Sequence, residues 1–517
     1  SAASDVYKRQ VMDNILKYLE KTAERFPDKT AVDDGTVQFT YQELLDKARH
    51  FGLSFLDKTM PGRPVAILRE KSSEVLAAMF GIVYAGCFYV MIDPEQPLER
   101  LKDILSVLKT DLVLTDSTYK NQLEDAGYQG EIYLLDQERT EASLTEQDVE
   151  KLMERRSTAD STDLLYGIFT SGSTGKPKCV AVSQQAVIDF IGHFTKQFEI
   201  TDQDRIANQA PFDFDVSVKD IYSAITTGAT LVLVPKRLFS LPPRLLDYLC
   251  DKKVTVMVWA VSALCLISSL KGLKYKIPED ARIIMFSGEV MPVKQMRLWQ
   301  QALPQTKFIN LYGPSEITCN CTWYPVEREF QDGEVIPAGR AFDGRTVFLL
   351  DETGADITES GKTGEICVAG ESLADGYYHN EEETARRFVT GAVPGETGNT
   401  RFYRTGDLGY FGEDENLYFA GRKDFQIKHM GHRIELEEIE RAFEKLDGVS
   451  RCCCLFDTKR NKLLGFYTGD MDEKEVHQEL KRFLPVYMIP AKIRRIEEMP
   501  LNKNGKIDRK YLAQEWS

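Results

Sequence analysis

The apolar positions Met12, Ile15, Leu16, Leu19, Ala23 and Phe26 recur at three- and four-residue intervals, and Pro27 closes the run. Residues so spaced share one face of a helix, so the pattern predicts an amphipathic helix near the start of the chain. A different pattern follows. Short apolar runs (Val65-Ala66-Ile67-Leu68, Leu112-Val113-Leu114, Leu231-Val232-Leu233-Val234, Ile283-Ile284-Met285-Phe286) alternate with helical stretches such as residues 72–84. Uninterrupted apolar runs suit strands covered on both faces, and their alternation with helices predicts an α/β fold with largely buried sheets.

The character shifts after about Gly421, where a charged helix over residues 435–446, two strand candidates and a helix over 472–483 predict a small α+β unit. The polar segment Gly421-Arg422-Lys423-Asp424 lies at the seam and reads as a hinge rather than a flexible linker. Three parts are therefore expected: residues 1–10 (SAASDVYKRQ) as a tag or disordered leader, 11–423 as a large core domain, and 424–517 as a small mobile C-terminal domain. The acidic stretch 138–154 predicts a solvated helix and loop.

Sixty-five basic against eighty acidic residues leave a net charge of −15, which argues against broad nucleic-acid binding. No apolar run approaches the ~18 residues of a membrane helix, and the N-terminus lacks a signal peptide's apolar stretch, so a cytoplasmic protein without a membrane partner is expected. The ten cysteines are scattered without C-x-x-C pairs, which points to reduced thiols. Cys452-Cys453-Cys454 would alternate faces along a strand and could not all ligate one ion.

The stretch TSGSTGKPK, residues 170–178, has the composition of an anion-binding loop: small residues let backbone N–H groups approach, and hydroxyls and ammonium groups add donors. It is not a P-loop, because Thr170 stands where that pattern needs glycine and Pro177 where it needs Ser or Thr. It follows a strand-like run, residues 164–169, and the residues alone allow either a phosphate loop or an ordinary turn. Further polar clusters occupy residues 310–316 (NLYGPSE), 403–408 (YRTGDL) and 504–509 (NGKIDR); singly, each could be a turn with a capping acid.

Together and in this order, these motifs resemble the adenylate-forming superfamily, specifically the amino-acid adenylation domains of nonribosomal peptide synthetases and the D-alanine:D-alanyl-carrier-protein ligases. The resemblance runs from about residue 11 to 511 and includes residues 84–94, Phe214-Asp215-Val216-Ser217, Gly364-Glu365-Ile366, 421–440 and 484–490. It implies a reaction in which a carboxylate attacks the α-phosphate of ATP, giving an acyl-adenylate and pyrophosphate.

The resemblance also assigns roles. Thr170, Ser171, Gly172, Ser173, Thr174, Gly175 and Lys178 would grip the β- and γ-phosphates, with Gly288, Glu289, Gly313 and Ser315 also in the ATP site. Lys506 would be the catalytic lysine, its ammonium bridging substrate carboxylate and phosphoryl oxygens. Asp407 would accept the ribose hydroxyls, Arg422 would contact ribose or phosphate, Tyr312 would stack on adenine, and Asn310 would face the exocyclic amine. Glu316 would hold Mg²⁺, a hard cation that favours oxygen ligands. Asp215 would pair with the α-ammonium of an amino acid; the alternative is a helix-capping aspartate. Cys179 and Gln184 depart from the family's usual glycine and histidine, which leaves the phosphate loop's geometry open.

The side-chain pocket would be formed by Val216, Lys219, approximately Val258, Met285, Ser287, Leu311, Cys319 and Asn320. A lysine in a closed pocket needs an anion, which suggests an acidic substrate, unless Lys219 reaches solvent or pairs with a protein acid. The other pocket residues resemble those for small polar amino acids such as serine, which ranks ahead of an acidic substrate, with D-alanine open. The chain ends soon after Lys506, so the expected acceptor is the phosphopantetheine thiol of a separate carrier protein. Asp424 would be the hinge whose rotation brings Lys428 and Gly431 to the active site. The competing readings are an acyl-CoA or aryl-CoA ligase, against which Asp215 weighs, and a non-catalytic adenylate-binding subunit, against which Lys506, Asp407 and Glu316 weigh.

Overall fold

The computed structural model describes residues 14–137, 144–157, 160–172, 176–458, 460–502 and 507–516. The apolar runs become the centres of two large sheets. In a nine-stranded sheet, Lys307–Tyr312, Ile283–Ser287, Val256–Ala260, Arg205–Asn208, Thr230–Leu233 and Thr30–Asp33 pair in parallel, with antiparallel strands at both edges. In a seven-stranded sheet, Leu164–Thr170, Phe88–Ile92, Pro64–Leu68, Leu112–Thr115 and Glu131–Leu134 run parallel. Lys178–Ser183 and Gly376–Tyr377 then extend that sheet antiparallel.

One apolar cluster runs through both sheets and through the helices Tyr41–Phe55, Ser73–Tyr84, Gln184–Gln197 and Val216–Thr227. Every residue of Ser73–Tyr84 is buried except Glu74, which accounts for its nearly all-apolar sequence. It crosses Tyr41–Phe55 at two glycines: a Cβ on Gly81 would lie 2.5 Å from Phe51 Cβ, and one on Gly52 2.7 Å from Tyr84 Cβ. The first helix among the described residues is Ile15–Arg25, capped by Asn14, whose side chain accepts from Leu16 N at 2.8 Å. The expected leader, residues 1–10, lies outside the described residues.

The helix expected in the acidic stretch is Glu146–Ser157, but it is not wholly solvated: Leu152 is fully buried, against Gly52. A five-stranded antiparallel sheet, residues 345–422, closes the large unit.

Strands after Arg422 pair only among themselves: the hairpin Gln426–His429 with His432–Glu435, and the sheet Val449–Asp457, Lys462–Gly469, Lys492–Arg495. Leu436–Glu444 and Glu473–Leu480 pack on this sheet around a separate apolar core. Both helices are shorter than the sequence pattern suggests: Glu435 belongs to the preceding strand and Asp472 acts as a cap, and the helices end at Glu444 and Leu480. Cys452 and Cys454 enter this core while Cys453 belongs to another cluster, as strand alternation requires. No described helix is long and apolar enough to cross a membrane.

Candidate active site

The ends of several strands converge on a cavity of about 130 Å³ between the large unit and the C-terminal hairpin. Thr170 and Ser171 come from the end of Leu164–Thr170, Ser287 and Gly288 from the end of Ile283–Ser287, and Gly313 and Ser315 from the turn after Lys307–Tyr312. Asp215, Val216 and Lys219 come from the first turn of Val216–Thr227, and Cys319 and Asn320 face them. Asp407, Arg422, Lys428, Gly431 and Arg433 also line it, as do Asp93, Arg100 and Asp213. Such placement at the carboxyl ends of parallel strands is the usual location of ligand sites in open α/β sheets.

Asp215 stands at the N-cap position of its helix but makes no capping bond. Its Oδ2 accepts from Ser315 Oγ at 2.6 Å. Lys219, four residues along the same helix, is 1% exposed, so it does not reach solvent. Its Nζ donates to Asn320 Oδ1 at 2.6 Å. Among the described residues neither Asp215 nor Lys219 forms a salt bridge with any side chain.

Further charged groups lie close by, Asp213 on the cavity wall and Asp220 buried. Lys71 donates to Asn208 Oδ1 at 2.8 Å and to three backbone carbonyls between 2.9 and 3.2 Å, and burial pulls its pKa down to about 7. Burial raises Asp220 to about 7, and burial together with Asp93 raises Asp213 to about 7.

On another side of the cavity, Asp407 Oδ2 accepts from Tyr312 Oη at 2.6 Å, and its Oδ1 is ion-paired to Arg422. Arg422 also bonds Asp424, with Nε to Oδ1 at 2.6 Å and Nη2 to Oδ2 at 2.9 Å. Lys428 Nζ lies 5.6 Å from the centroid of the Tyr312 ring, and Asn310 Nδ2 donates to Pro337 O at 2.7 Å. Thr170 Oγ1 is buried without a hydrogen-bond partner among the described residues. This donor-rich wall, with an orphaned hydroxyl and two cations, fits a nucleotide polyphosphate.

The carboxylate assigned to Mg²⁺ does not fit a metal in this arrangement. Glu316 is fully buried, and Arg433 Nη1 donates to both of its oxygens, at 2.9 and 2.8 Å. Tyr377 Oη adds a bond of 2.7 Å. Burial works against the charge, but Arg433 and Lys178 hold Glu316 down at about 2. Among the described residues no group of three or more His, Cys, Asp or Glu could hold a metal ion.

Other expected residues lie off the cavity wall. Val258, Met285 and Leu311 are buried in the apolar core, and the apolar part of the lining comes instead from residues such as Met91, Ile168, Phe169 and Phe214. Lys178 is buried behind the wall, with Nζ 3.3 Å from Glu383 Oε1 and 4.6 Å from the Tyr377 ring centroid. Glu289 accepts the Gly431 N–H at 2.7 Å. Gly172 follows Ser171 outside any strand or helix, and Ser173, Thr174, Gly175 and Lys506 lie outside the described residues.

The two departures have structural explanations. Cys179 belongs to Lys178–Ser183 rather than to a loop and fills the space left by Gly167, where a Cβ would come within 2.6 Å of its Sγ. Gln184 Oε1 accepts from Ile15 N at 3.0 Å and so anchors the first helix.

Sequence reasoning overlooked Arg433, although it falls within the matching stretch 421–440, and overlooked Tyr377, which no motif marks. It also overlooked the buried Arg100–Glu438 pair, which ties the large unit to the C-terminal helix Leu436–Glu444, and the His432 ring stacked on Tyr487 within the C-terminal unit, centroids 3.4 Å apart.

A family profile described as "AMP-binding enzyme" matches residues 19–378. The chain is 32% identical to zwittermicin A synthase ZmaJ of Bacillus cereus over 96% of its own length and 94% of that protein. It is 33% identical to bacitracin synthase 1 of Bacillus licheniformis over 96% of its own length, but spans only 9% of that much longer protein. Among solved structures it resembles holo-PA1221, "an NRPS protein containing adenylation and PCP domains", with TM-score 0.84 and 26% identity over 97% of this chain and 84% of that one. The chain belongs to the AMP-binding enzyme family, that of the ATP-dependent, AMP-forming ligases.

Proposed function

We propose that the protein activates an amino acid with an anionic side chain, an aspartate- or glutamate-like substrate, as its acyl-adenylate and passes the acyl group to the phosphopantetheine thiol of a carrier protein. One observation carries the substrate reading: Asp215 and Lys219, a helical turn apart, line one cavity as opposite charges without an ion pair to any described side chain. Residues four apart on a helix have Cβ atoms ~5–6 Å apart, the scale on which an acidic amino acid separates its α-ammonium from its side-chain carboxylate. The ammonium would meet the half-buried Asp215 and the side-chain carboxylate the buried Lys219, so each charge gains a partner. This reverses the order suggested by residue identity alone, because Lys219 does not reach solvent and, although its charge acts on Asp220, forms no salt bridge with a described protein acid.

The family match supports the adenylation half, with Asp407, Arg422 and the polar wall holding ATP and Lys506 neutralising charge as the carboxylate attacks phosphorus. Asp215 favours an amino acid over the fatty or aromatic acids of CoA ligases. The carrier-protein half draws on the adenylation and PCP domains of holo-PA1221. Amino-acid-dependent exchange of labelled pyrophosphate into ATP, across L-amino acids plus D-alanine and D-serine, tests the reading. Aspartate or glutamate should respond most strongly; a dominant response to serine or D-alanine would overturn the substrate assignment while leaving the reaction class standing.

A further inference from the structure

Lys71 is a charged residue that no motif marks and that the proposed chemistry does not use. It lies between strand Pro64–Leu68 of the seven-stranded sheet and helix Ser73–Tyr84, yet its Nζ reaches across to the nine-stranded sheet, at the exit of strand Arg205–Asn208. There it donates to Asn208 O and Gln209 O, both at 2.9 Å, to Ala210 O at 3.2 Å and to Asn208 Oδ1 at 2.8 Å. All four neighbours are acceptors, a set that suits the three N–H groups of an ammonium.

An extended strand aims successive carbonyls at opposite edges. Three consecutive carbonyls converging on one ammonium therefore mark a bend, the point where the chain leaves the sheet. Among the described residues Gln209 O and Ala210 O have no other hydrogen-bond donor, so the ammonium is what holds the bend.

This bend leads into the pocket. Residues 211–215 follow directly, and Asp213, Phe214 and Asp215 line the cavity. A second connection runs to the helix beyond: Asn208 accepts from Lys71 with its Oδ1 and donates with its Nδ2 to Asp220 Oδ2, 2.9 Å away. Asp220 is buried and is the neighbour of Lys219 on helix Val216–Thr227. One ammonium thus secures both the turn before Asp215 and the helix that bears Lys219.

We propose that Lys71 is a positioning residue for the amino-acid pocket: from the other sheet it fixes residues 208–215 so that Asp215 is presented to the substrate's α-ammonium. Lys71 does not itself line the cavity and acts through the backbone. The inference rests on the reading of Asp215 as partner of the α-ammonium, and is independent of which side chain the substrate carries. A binding group misplaced by about 1 Å costs up to ~100-fold in rate, so loss of Lys71 should weigh on the amino acid and spare the nucleotide, whose expected contacts Asp407 and Arg422 lie on other strands.

Hydrogen exchange and pyrophosphate exchange test this together. In Lys71→Met the amides of residues 212–218 should exchange at least ~10-fold faster than in wild type while helix Ser73–Tyr84, next to Lys71 itself, keeps its protection; this arm needs no substrate. With L-aspartate, L-glutamate and L-serine as probes, kcat/KM for whichever of them wild type activates should fall ~10- to 100-fold, with ATP binding by equilibrium dialysis changed less than about twofold. Lys71→Arg keeps a cation with several N–H donors and should stay within about threefold of wild type. Lys71→Gln, neutral but still a donor, should fall between the two and serves if the methionine variant does not fold. Unchanged exchange at 212–218, or a loss shared equally by amino acid and ATP, would overturn the proposal. A wild type that activates serine alone would retire the anionic-substrate reading and leave the Lys71 test to be read with serine. If wild type activates none of the three, the hydrogen-exchange arm alone decides on Lys71.

Discussion

Replacing Lys219 by methionine is the sharpest test of what the pocket recognises, because methionine keeps an unbranched stem of similar length and removes only the charge. In wild type Lys219 is 1% exposed and its ammonium spends one donor on Asn320 Oδ1, at 2.6 Å, which leaves two for a ligand. Removing one partner of a buried, hydrogen-bonded charge pair costs about 2–5 kcal/mol. At about 1.4 kcal/mol per factor of ten, kcat/KM for aspartate or glutamate should fall roughly 30- to 4000-fold in pyrophosphate exchange.

A structural cost accompanies the substitution. Asn320 Oδ1 loses its donor at a site 2% exposed, and a stranded buried acceptor costs about 1–3 kcal/mol of stability. That cost falls on every substrate alike, so the diagnostic quantity is the ratio of kcat/KM for aspartate to that for serine or alanine within each enzyme. A neutral side chain has no carboxylate to lose, and its kcat/KM should change by less than about threefold once the fraction of active enzyme is measured. An unchanged ratio in Lys219→Met would refute the charge-pairing argument.

Lys506→Ala should abolish most pyrophosphate exchange while ATP binding, read by equilibrium dialysis, survives; near-normal turnover would remove Lys506 from the chemistry. Asp424→Pro fixes one backbone dihedral at the expected hinge and should slow thioester transfer more than about tenfold relative to pyrophosphate exchange; equal loss in both would count against a hinge there. Burial raises Asp220 from 3.8 to about 7, with Lys71, Lys219 and Asn208 facing it. The native state therefore keeps a proton that the unfolded chain has lost, and this group's contribution to stability falls as pH rises from about 4 through about 7. Asp220→Asn lacks that loss, so its denaturation midpoint should gain on wild type between about pH 5 and pH 8; a gap constant across that range would show that the carboxyl titrates normally.

The sheet-forming runs were legible because parallel strands covered on both faces are written as continuous apolar residues, and the runs at 65–68, 231–234 and 283–286 all lie at sheet centres. The motifs containing Asp215 and Asp407 stood out because hydroxyls, glycines and charges cluster in them, and the structure brings these two residues to one cavity wall, while Asn310 lies off it. Pairings between distant segments were not. Nothing local to Gln184 says that its amide accepts from Ile15, and nothing local to Leu152 says that its neighbour is a glycine in another helix. Cys179 looked like a flaw in a loop because its partner, Gly167, lies across a strand pair.

Buried charge separates what the protein keeps for itself from what it offers to a ligand. Arg345 is met by Asp189 at 2.7 Å, Glu316 by Arg433, and Arg100 by Glu438, each pair drawn from segments far apart in the chain. Such pairs return little net stability after desolvation, but leaving either member alone is expensive, so a folded interior completes them. Asp215 and Lys219 lie within reach of each other's helix face and each takes a neutral partner instead, Ser315 and Asn320. A hydroxyl and an amide hold these two groups in place without cancelling their charges. On the substrate reading proposed above, that arrangement would cost the free protein stability, to be recovered when a molecule carrying both signs enters between them and not when a neutral side chain does.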